Sequence, residues 1–432
     1  MKKNHRRLRR RTKQRLQFYN LKIDSMKKFF TVMLCLGALT PIFAQKALVD
    51  QAEKLSGKAG KLEEARSLIK QAMSNPETKD QARTYYVAGK IELDAFDNGL
   101  KTKMINPDDP SAKGTVMADE LMNGYNYFMM ALPLDSLPNE KGQVKPKYSK
   151  DIYNKLKGHA SDIFTAGADY FNDKMYYPQA FNAFMIFGDL PNTLYAGENS
   201  PFDAQQLASS FFNAGLAAYS GNSVENSAEA FKKARLAGYE QPEAYIYEIA
   251  CWQNIAQTDE SKAAEAQAKI FEVAKAGNDK FGIEQPLFLN NMINSLVSDE
   301  KMTEAVALLN DLIAQNPNVP NLYGLRGYVY DRMEDNDKSE ADYRKAASLD
   351  GVDYETLKNA SKKLYRVGTE KLNEIEGASD EANAARQNIK NNYFLEAQKI
   401  AQKAAGMEEG QNDSDIQNVL ESIDYSLTTY FN

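Results

Sequence analysis

From residue 45 onward, apolar residues recur at three- and four-residue intervals, the spacing that places them on one face of an α-helix. The alternation of apolar and polar residues that predicts strands is absent. Two segments combine the helical pattern with the same stop signal, an Asn-Pro pair. Their apolar faces consist of Leu62, Ala65, Ile69 and Ala72 in the first segment and of Met302, Ala305, Leu309 and Leu312 in the second. We therefore expect an all-α protein that contains an internal repeat.

The repeat can be recognised from residues that correspond at a constant separation. Four pairs share it: Leu289 and Tyr323, Ala305 and Ser339, Leu309 and Tyr343, and Pro317 and Gly351. In the second copy, residues 323–330 (YGLRGYVY) are followed by residues 339–346 (SEADYRKA). This arrangement resembles the tetratricopeptide repeat (TPR) family, in which each repeat is a pair of helices and the period is about 34 residues. The sequence departs from the family pattern in having Tyr323 for Trp, Ser339 for Ala and Gly351 for Pro.

Weaker copies of the motif occur upstream, at residues 65–89, 166–191 and 211–234. Residues 242–285 are helical in pattern but lack the full signature. The resemblance thus covers residues 45–351, with an insertion near 97–117 that we expect to form a loop. We expect residues 352–432 to hold degenerate repeats and capping helices. The resemblance implies a TPR-type α-solenoid of stacked helix-turn-helix repeats.

Glycines stand inside several of the predicted first helices, where each costs about 1 kcal/mol relative to alanine. In a helix-turn-helix repeat, a small residue on the first helix lets the second helix approach closely. The glycines at this position are Gly89, Gly167, Gly215 and Gly327. We therefore predict that these glycines are contact points where the second helix approaches closely, with large residues filling the flanking gaps.

Residues 26–45 (MKKFFTVMLCLGALTPIFAQ) have the three-part layout of a secretory signal peptide. Two lysines precede an apolar run at positions 29–39, and a Thr-Pro break follows ahead of Ala44. The apolar run is too short to span a bilayer, and no later run is long enough. We therefore expect a signal peptide, Met26–Ala44, export to the periplasm or cell envelope, and no transmembrane span in the mature chain.

The charge is distributed unevenly along the chain. Residues 1–44 hold 12 of the 53 Lys and Arg residues and one of the 59 Asp and Glu residues, so residues 45–432 have a net charge of −17. Nucleic acid is not an expected partner of this acidic body, because binding a phosphate backbone requires basic patches. Residues 1–25 precede the signal peptide, and we expect translation to start at Met26. The alternative is that their run HRRLRRRTKQR is a genuine basic arm.

After the predicted signal peptide, the chain contains one histidine, His159, and one cysteine, Cys251. Zinc sites need several such ligands, and no phosphate-binding glycine motif is present. Residues 335–342 (DNDKSEAD) resemble part of a calcium loop but lack its glycine and its spaced Glu. We interpret them as a solvated turn that caps the second helix. We therefore expect no enzyme, no metal and no cofactor.

The resemblance implies that the first helices line a concave groove suited to a peptide or a partner helix. Asn side chains donate and accept hydrogen bonds at once, so they can bind the backbone of an extended peptide. The alternative is ordinary hydrophilic helix surface. The Lys and Arg residues of TPR domains that clamp a terminal carboxylate are largely missing here. The predicted groove residues are Phe212, Asn213, Leu216, Tyr219, Asn290, Asn294, Asn321, Tyr328, Asp331 and Arg332.

These features predict a non-enzymatic protein–protein interaction scaffold of the periplasm or cell envelope. It would bind a segment of another envelope protein in the groove. The alternative is a periplasmic binding protein for glycan or peptide ligands, since 24 Tyr and 20 Phe residues supply many aromatic contacts. The sequence leaves the identity of the partner and the oligomeric state open.

Overall fold

The computed structural model of the chain describes residues 43–139 and 141–431. Apart from Phe43 and Ala44, the predicted signal peptide and residues 1–25 lie outside the described residues. Over the described part the structure is helical, without strands. The α-helices, α1 to α19 in chain order, are Phe43–Leu55, Leu62–Ser74, Ala82–Ile105, Gly114–Asp135, Ser149–Gly158, Ala160–Asn172, Tyr177–Gly188, Ala204–Ser220, Val224–Leu236, Glu243–Thr258, Ala263–Phe281, Pro286–Ser298, Met302–Gln315, Pro320–Arg332, Asn336–Ser348, Tyr354–Asn373, Asp380–Ile389, Leu395–Ala405 and Ser414–Tyr430.

The chain divides into two compact units. Of the described residues, unit 1 holds those up to Lys101 together with Asn123–Ile152, and unit 2 holds Thr102–Met122 and those from Tyr153 onward. No helix in the described part of the chain is both long enough and apolar enough to cross a membrane.

Unit 1 is built around α1, α2 and the first part of α3. Their facing sides bury Val49, Ile69 and Ile91, together with alanines that let the helix backbones approach. Arg66 on α2 forms an ion pair with the largely buried Glu92 on α3, at 2.6 Å between nitrogen and oxygen. Hydrophobic burial and a fixed ion pair thus join the second helix of one repeat to the first helix of the next.

Unit 2 is a succession of helices in which each helix from α6 to α16 packs against the next. The first helices of neighbouring repeats also pack side by side, α12 against α14 and α14 against α16. The core continues from repeat to repeat, because Phe271 and Tyr328 each pack against two successive clusters of buried side chains. Helix pairs stacked in this way form a TPR-type α-solenoid, as the sequence predicted.

The predicted glycine contacts are confirmed in both units. In the first three pairs below, a Cβ added to the glycine would lie 2.5–2.7 Å from the nearest ring carbon, which is closer than real carbon atoms approach. In the fourth pair the distance would be 3.3 Å. The first three positions therefore require glycine because an aromatic ring occupies the space of its side chain, whereas the ring at Gly327 leaves room for a small shift. The pairs are Gly89 with Phe128, Gly167 with Phe184, Gly215 with Phe231, and Gly327 with Tyr343.

Three first helices of unit 2 end in the same turn. The residue in the left-handed conformation is Asn222, Glu300 or Glu334, with φ of 56°, 60° and 60°. In each turn the following N–H bonds back to a carbonyl five residues earlier, as Lys301 does to Leu296 at 2.8 Å. Glu300 and Glu334 are as far apart in the sequence as Leu289 and Tyr323, which occupy equivalent positions in the two repeat copies. The turn therefore recurs at the period of the sequence repeat.

Replacing Glu300 or Glu334 by glycine should raise the free energy of unfolding by about 0.5–1 kcal/mol per site. A left-handed residue with a Cβ costs about 1–2 kcal/mol. The greater conformational entropy of glycine in the unfolded chain offsets about 0.5–1 kcal/mol of the stabilisation gained by relieving this strain. Urea-induced unfolding followed by circular dichroism measures the difference. Lys301→Gly is the matched control, because its φ of −92° gives glycine no advantage, and it should lower stability. A gain at neither Glu300 nor Glu334 would contradict the assigned turn.

The structure corrects the prediction of a loop at 97–117. Helix α3 continues to Ile105, and the non-helical part is Asn106–Lys113, which includes the short 3₁₀ turn Pro110–Ala112. Gly99 lies in the segment expected to form a loop, but it is buried inside α3 on the same side as Ala95. Tertiary packing therefore outweighs the low helix propensity of glycine.

The start of α15 and the segment between α17 and α18 differ from what the sequence predicted. The interpretation of residues 335–342 as a solvated turn is corrected: Asp335 caps α15, with its side chain accepting a hydrogen bond from the Lys338 N–H, but residues 336–342 already belong to the helix, and Ser339 and Asp342 are buried. A single π-helical turn, Lys390–Phe394, lies between α17 and α18. This π-helical turn was not predicted from the sequence.

Candidate functional site

The first helices of unit 2 present one side to solvent because pairing uses the opposite side. Gly215 on α8 and Gly327 on α14 lie against the second helices of their pairs, so the residues across each helix remain available. We call the solvent-facing side of α8, α10, α12, α14 and α16 the first-helix face. Phe212 and Tyr328 border this face while packing partly into the core. Its other residues are exposed or half-buried: Asn213, Tyr219, Tyr247, Gln253, Asn290, Asn291, Asn294, Asn321, Asp331, Arg332 and Arg366.

Five carboxamides form a row across α10, α12 and α14, which we call the carboxamide row: Gln253, Asn290, Asn291, Asn294 and Asn321. The Gln253 Nε2 donates to Asn291 Oδ1 at 3.0 Å, and the Asn321 Nδ2 donates to Asn290 Oδ1 at 3.4 Å. Asn294 is exposed, one helical turn beyond Asn290. Each carboxamide has two N–H donors and two acceptor lone pairs, so these bonds leave most of the capacity unused. The row can therefore both donate and accept along a bound backbone.

The sequence had singled out three members of the carboxamide row but missed Gln253 and Asn291. Asn291 lies three residues before Asn294, a spacing that places both on one side of a helix, so a signal for it was present. Gln253 had no usable signal. The register of its repeat could not be aligned, because residues 242–285 lack the glycine that marks the first helix.

An aromatic cluster lies where α8 meets α10. The ring of Phe212 stacks on Tyr239 with centroids 4.5 Å apart and an interplanar angle of 8°, and Tyr247 lies 6.0 Å away. Phe212 is half-buried, whereas Tyr247 is 41% exposed. Leu216, one turn further along α8, is half-buried against the core. Phe212 and Leu216 thus contribute to packing, and Tyr247 supplies the accessible apolar surface.

Ion pairs occupy the other end of the face, where α14 meets α16. The Asp331 carboxylate accepts from Lys363 Nζ at 2.6 Å and from an Arg366 guanidinium nitrogen at 2.5 Å. Lys363 is buried and also donates to Asn336 at 2.6 Å. Asp331 therefore fixes α14 against α16.

The structure places the remaining predicted groove residues in different settings. Tyr328 is half-buried and packs against two core clusters. Asn213 is half-buried, whereas Tyr219 and Arg332 are exposed. Asn290 and Asn321 are brought into contact with each other. Their role in binding a partner stays a prediction.

His159 and Cys251 are the histidine and the cysteine within the described residues. His159 Nδ1 lies 2.9 Å from Asp162 Oδ2 at the start of α6. Cys251 is buried, with its Sγ 3.4 Å from Ser227 Oγ, and burial raises the pKa of its thiol. Within residues 43–139 and 141–431, no three His, Cys, Asp or Glu side chains are placed to hold a metal ion.

Comparison with known proteins gives no sequence relative: no family model matches the chain, and no curated protein does. Among solved structures, the TPR domain of P58(IPK) matches 90% of this chain and 99% of its own, at 14% identity and a TM-score of 0.28. The TPR2AB domain of yeast Sti1 in complex with pHSP90 matches 78% of this chain and 99% of its own, at 12% identity and a TM-score of 0.24. Yeast Tom70 matches 90% of this chain and 97% of its own, at 14% identity and a TM-score of 0.23. TM-scores this low carry no argument, so the assignment of TPR-type pairs rests on the helix packing within the chain.

Proposed function

We propose that this protein is an exported, non-enzymatic scaffold of the periplasm or cell envelope. It binds an extended segment of a partner protein on the first-helix face of unit 2. The proposal of export rests on the signal-peptide layout of residues 26–44, which lie almost wholly outside the described residues.

The observation that carries the binding proposal is the carboxamide row. An extended backbone presents N–H and C=O groups in alternation, and both require partners when the peptide is bound. Carboxamides offer both functions without charge, so they suit a backbone whatever its side chains are. The contacts between Gln253 and Asn291 and between Asn290 and Asn321 link α10 to α12 and α12 to α14, which supports binding across three first helices. A groove built for a terminal carboxylate would instead need unpaired cations along its length.

Tyr247 and Arg332 give the two ends of the face different chemistry. Tyr247, exposed beside Phe212 and Tyr239, can pack on an apolar side chain of the bound segment. Arg332 is exposed near the paired Asp331 and Arg366. The carboxamide row would thus hold the backbone, and these ends would select among sequences.

The test begins with the full chain, carrying an affinity tag and recovered from the envelope fraction of cells. Absence from that fraction would contradict export. Proteins crosslinked to the chain are identified by mass spectrometry, and overlapping peptides of the captured protein are titrated by calorimetry. The double variant Asn290→Ala/Asn294→Ala should weaken the best peptide by about tenfold, because each lost hydrogen bond is worth about 0.5–1.5 kcal/mol. Tyr328 and Asp331 are left unchanged, since both hold the fold together.

Gln267→Ala/Gln315→Ala is the matched control, because these two amides are exposed on the second helices α11 and α13. It should bind like the wild type. A peptide with the same side chains and N-methylated backbone amides should bind more weakly if the backbone is recognised. Equal binding by both double variants would move the site away from the carboxamide row. Stabilisation by small glycans or peptides without any protein partner would favour the alternative, a solute-binding protein.

A further inference from the structure

A polar cleft of about 710 Å³ lies in unit 2 between α15, the last turn of α16, α17 and the π-helical turn. None of its lining residues belongs to the first-helix face. Its volume is within the range of about 300–1,000 Å³ typical of small-molecule sites. The cleft is therefore a second surface that the scaffold proposal does not use.

The π-helical turn Lys390–Phe394 forms one wall of the cleft and aims Tyr393 into it. Such turns are rare and occur often at functional sites. Tyr393 can take this position because residue 368 is glycine, where an added Cβ would lie 2.7 Å from the Tyr393 Cβ. Both the unusual helical turn and the glycine are thus needed to present this ring.

The charges of the cleft balance. Arg344 is already satisfied, because its guanidinium donates to Glu340, to Glu396 and to the Asn392 carbonyl. No guanidinium edge is then left to hold a carboxylate or phosphate in the bidentate manner. Lys371 lies in the last turn of α16, and Glu374 directly follows that helix. They add one positive and one negative charge to the cleft. With two cations and two anions in its lining, the cleft favours a neutral ligand.

The groups that remain for a ligand are suited to hydroxyls. The carboxamides of Asn388 and Asn392 are exposed and hydrogen-bonded to each other, and each keeps further donors and acceptors. Lys371 and Glu374 form no ion pair within residues 43–139 and 141–431, and the Lys371 Nζ lies 5.7 Å from the centroid of the Tyr393 ring. The ammonium can therefore donate to a hydroxyl beside that ring, and the carboxylate can accept from one. Sugar hydroxyls both donate and accept. The C–H faces of a sugar ring can also pack on apolar side chains such as Ile375 in the same cleft.

We propose that this cleft binds a neutral glycan fragment, independently of the partner segment on the first-helix face. The probes are maltotriose, cellotriose, chitotriose and xylotriose, titrated into the full chain by saturation-transfer NMR and calorimetry. At least one of them should bind saturably. Asn388→Ala should weaken that binding by about tenfold, and Tyr393→Ala by about tenfold or more. Asn388 is exposed, so its replacement leaves the fold intact even if Tyr393→Ala does not.

Asn418→Ala, at an exposed asparagine on α19 outside the cleft, is the matched control and should bind like the wild type. Absence of saturable binding by all four sugars would overturn the proposal, as would equal binding by wild type and Asn388→Ala. Tighter binding of glucuronate than of any neutral sugar would overturn the inference of a neutral ligand. Loss of sugar binding in Asn290→Ala/Asn294→Ala, with Asn388→Ala unaffected, would place the sugar on the first-helix face and reject the cleft.

Discussion

Replacing Gly215 by alanine should lower the free energy of unfolding by about 2 kcal/mol, whereas the same substitution at Gly327 should change it little. At Gly215 the new Cβ would lie 2.5 Å from the ring of Phe231, which is itself buried and cannot move without displacing its neighbours. Overpacking of this kind costs about 1–3 kcal/mol. At Gly327 the Cβ would lie 3.3 Å from the Tyr343 ring, and the gain in helix propensity of about 1 kcal/mol offsets the mild crowding.

Urea-induced unfolding of the two variants, followed by circular dichroism, measures this difference. Because the chemical change is identical at both sites, helix propensity cancels and only the contact with the ring remains. Gly158 is a further control: it ends α5, and a Cβ there would meet nothing within 4 Å. Its replacement by alanine should not destabilise the protein. Equal effects at Gly215 and Gly327 would mean that ring contact does not explain the glycines.

Replacing Arg235 by methionine should lower the free energy of unfolding by about 3–5 kcal/mol at neutral pH, because it leaves a buried carboxylate without its partner. Arg235 Nε lies 2.9 Å from Glu248 Oε2, and the two side chains are 8% and 1% exposed. Burial raises the pKa of Glu248 above its ordinary value of 4.5 even with Arg235 beside it. Without the guanidinium, that pKa should rise further.

The sign of the pH dependence follows from this shift. A carboxyl whose pKa is higher in the folded than in the unfolded state stabilises the fold when protonated, and this stability is lost as the pH rises. The destabilisation in Arg235→Met should therefore be smaller at about pH 5 than at about pH 8. Denaturant unfolding at both pH values measures it. The same loss at both pH values would show that removing Arg235 does not raise the pKa of Glu248 in the folded state.

Two controls separate the buried pair from charge in general. Lys262→Met removes an exposed ion pair with Glu225 in the same unit and should have little effect. Arg235→Met/Glu248→Leu removes both buried charges and should recover much of the lost stability, because two apolar side chains can replace a buried pair. A double variant as unstable as Arg235→Met alone would indicate that packing of the Arg235 stem, and not the unpaired charge, causes the loss.

Much of the fold could be predicted because its determinants are local or periodic. The apolar spacing identified the helices, and the glycine positions identified where paired helices approach closely. The structure supplied the residues on the other side, such as Phe128 against Gly89. Local signals failed where packing overruled them. Gly99 was expected to lie in a loop, yet it is buried inside α3. The π-helical turn before α18 had no signal in the residue spacing, because it depends on how Tyr393 meets Gly368.

The candidate site was only partly predictable. Asn290, Asn294 and Asn321 were found from their position opposite the glycine contact. Asp331 and Tyr328 met the same criterion, but the structure uses them to join helices and fill the core. Position on a helix face shows which side chains avoid the paired helix. It does not show which of them a neighbouring repeat will cover.

By itself, the sequence determined that the described chain is helical and that its helices pair at a regular period, since apolar spacing and small-residue positions act within one repeat. Only the tertiary structure decided which polar side chains of different repeats meet. Asn290 contacts Asn321 across 31 residues, and Gln253 contacts Asn291 across 38. The physical reason is that such contacts depend on the rotation of each first helix about its axis and on its offset from the next. Both are set by how the buried side chains of successive repeats interlock.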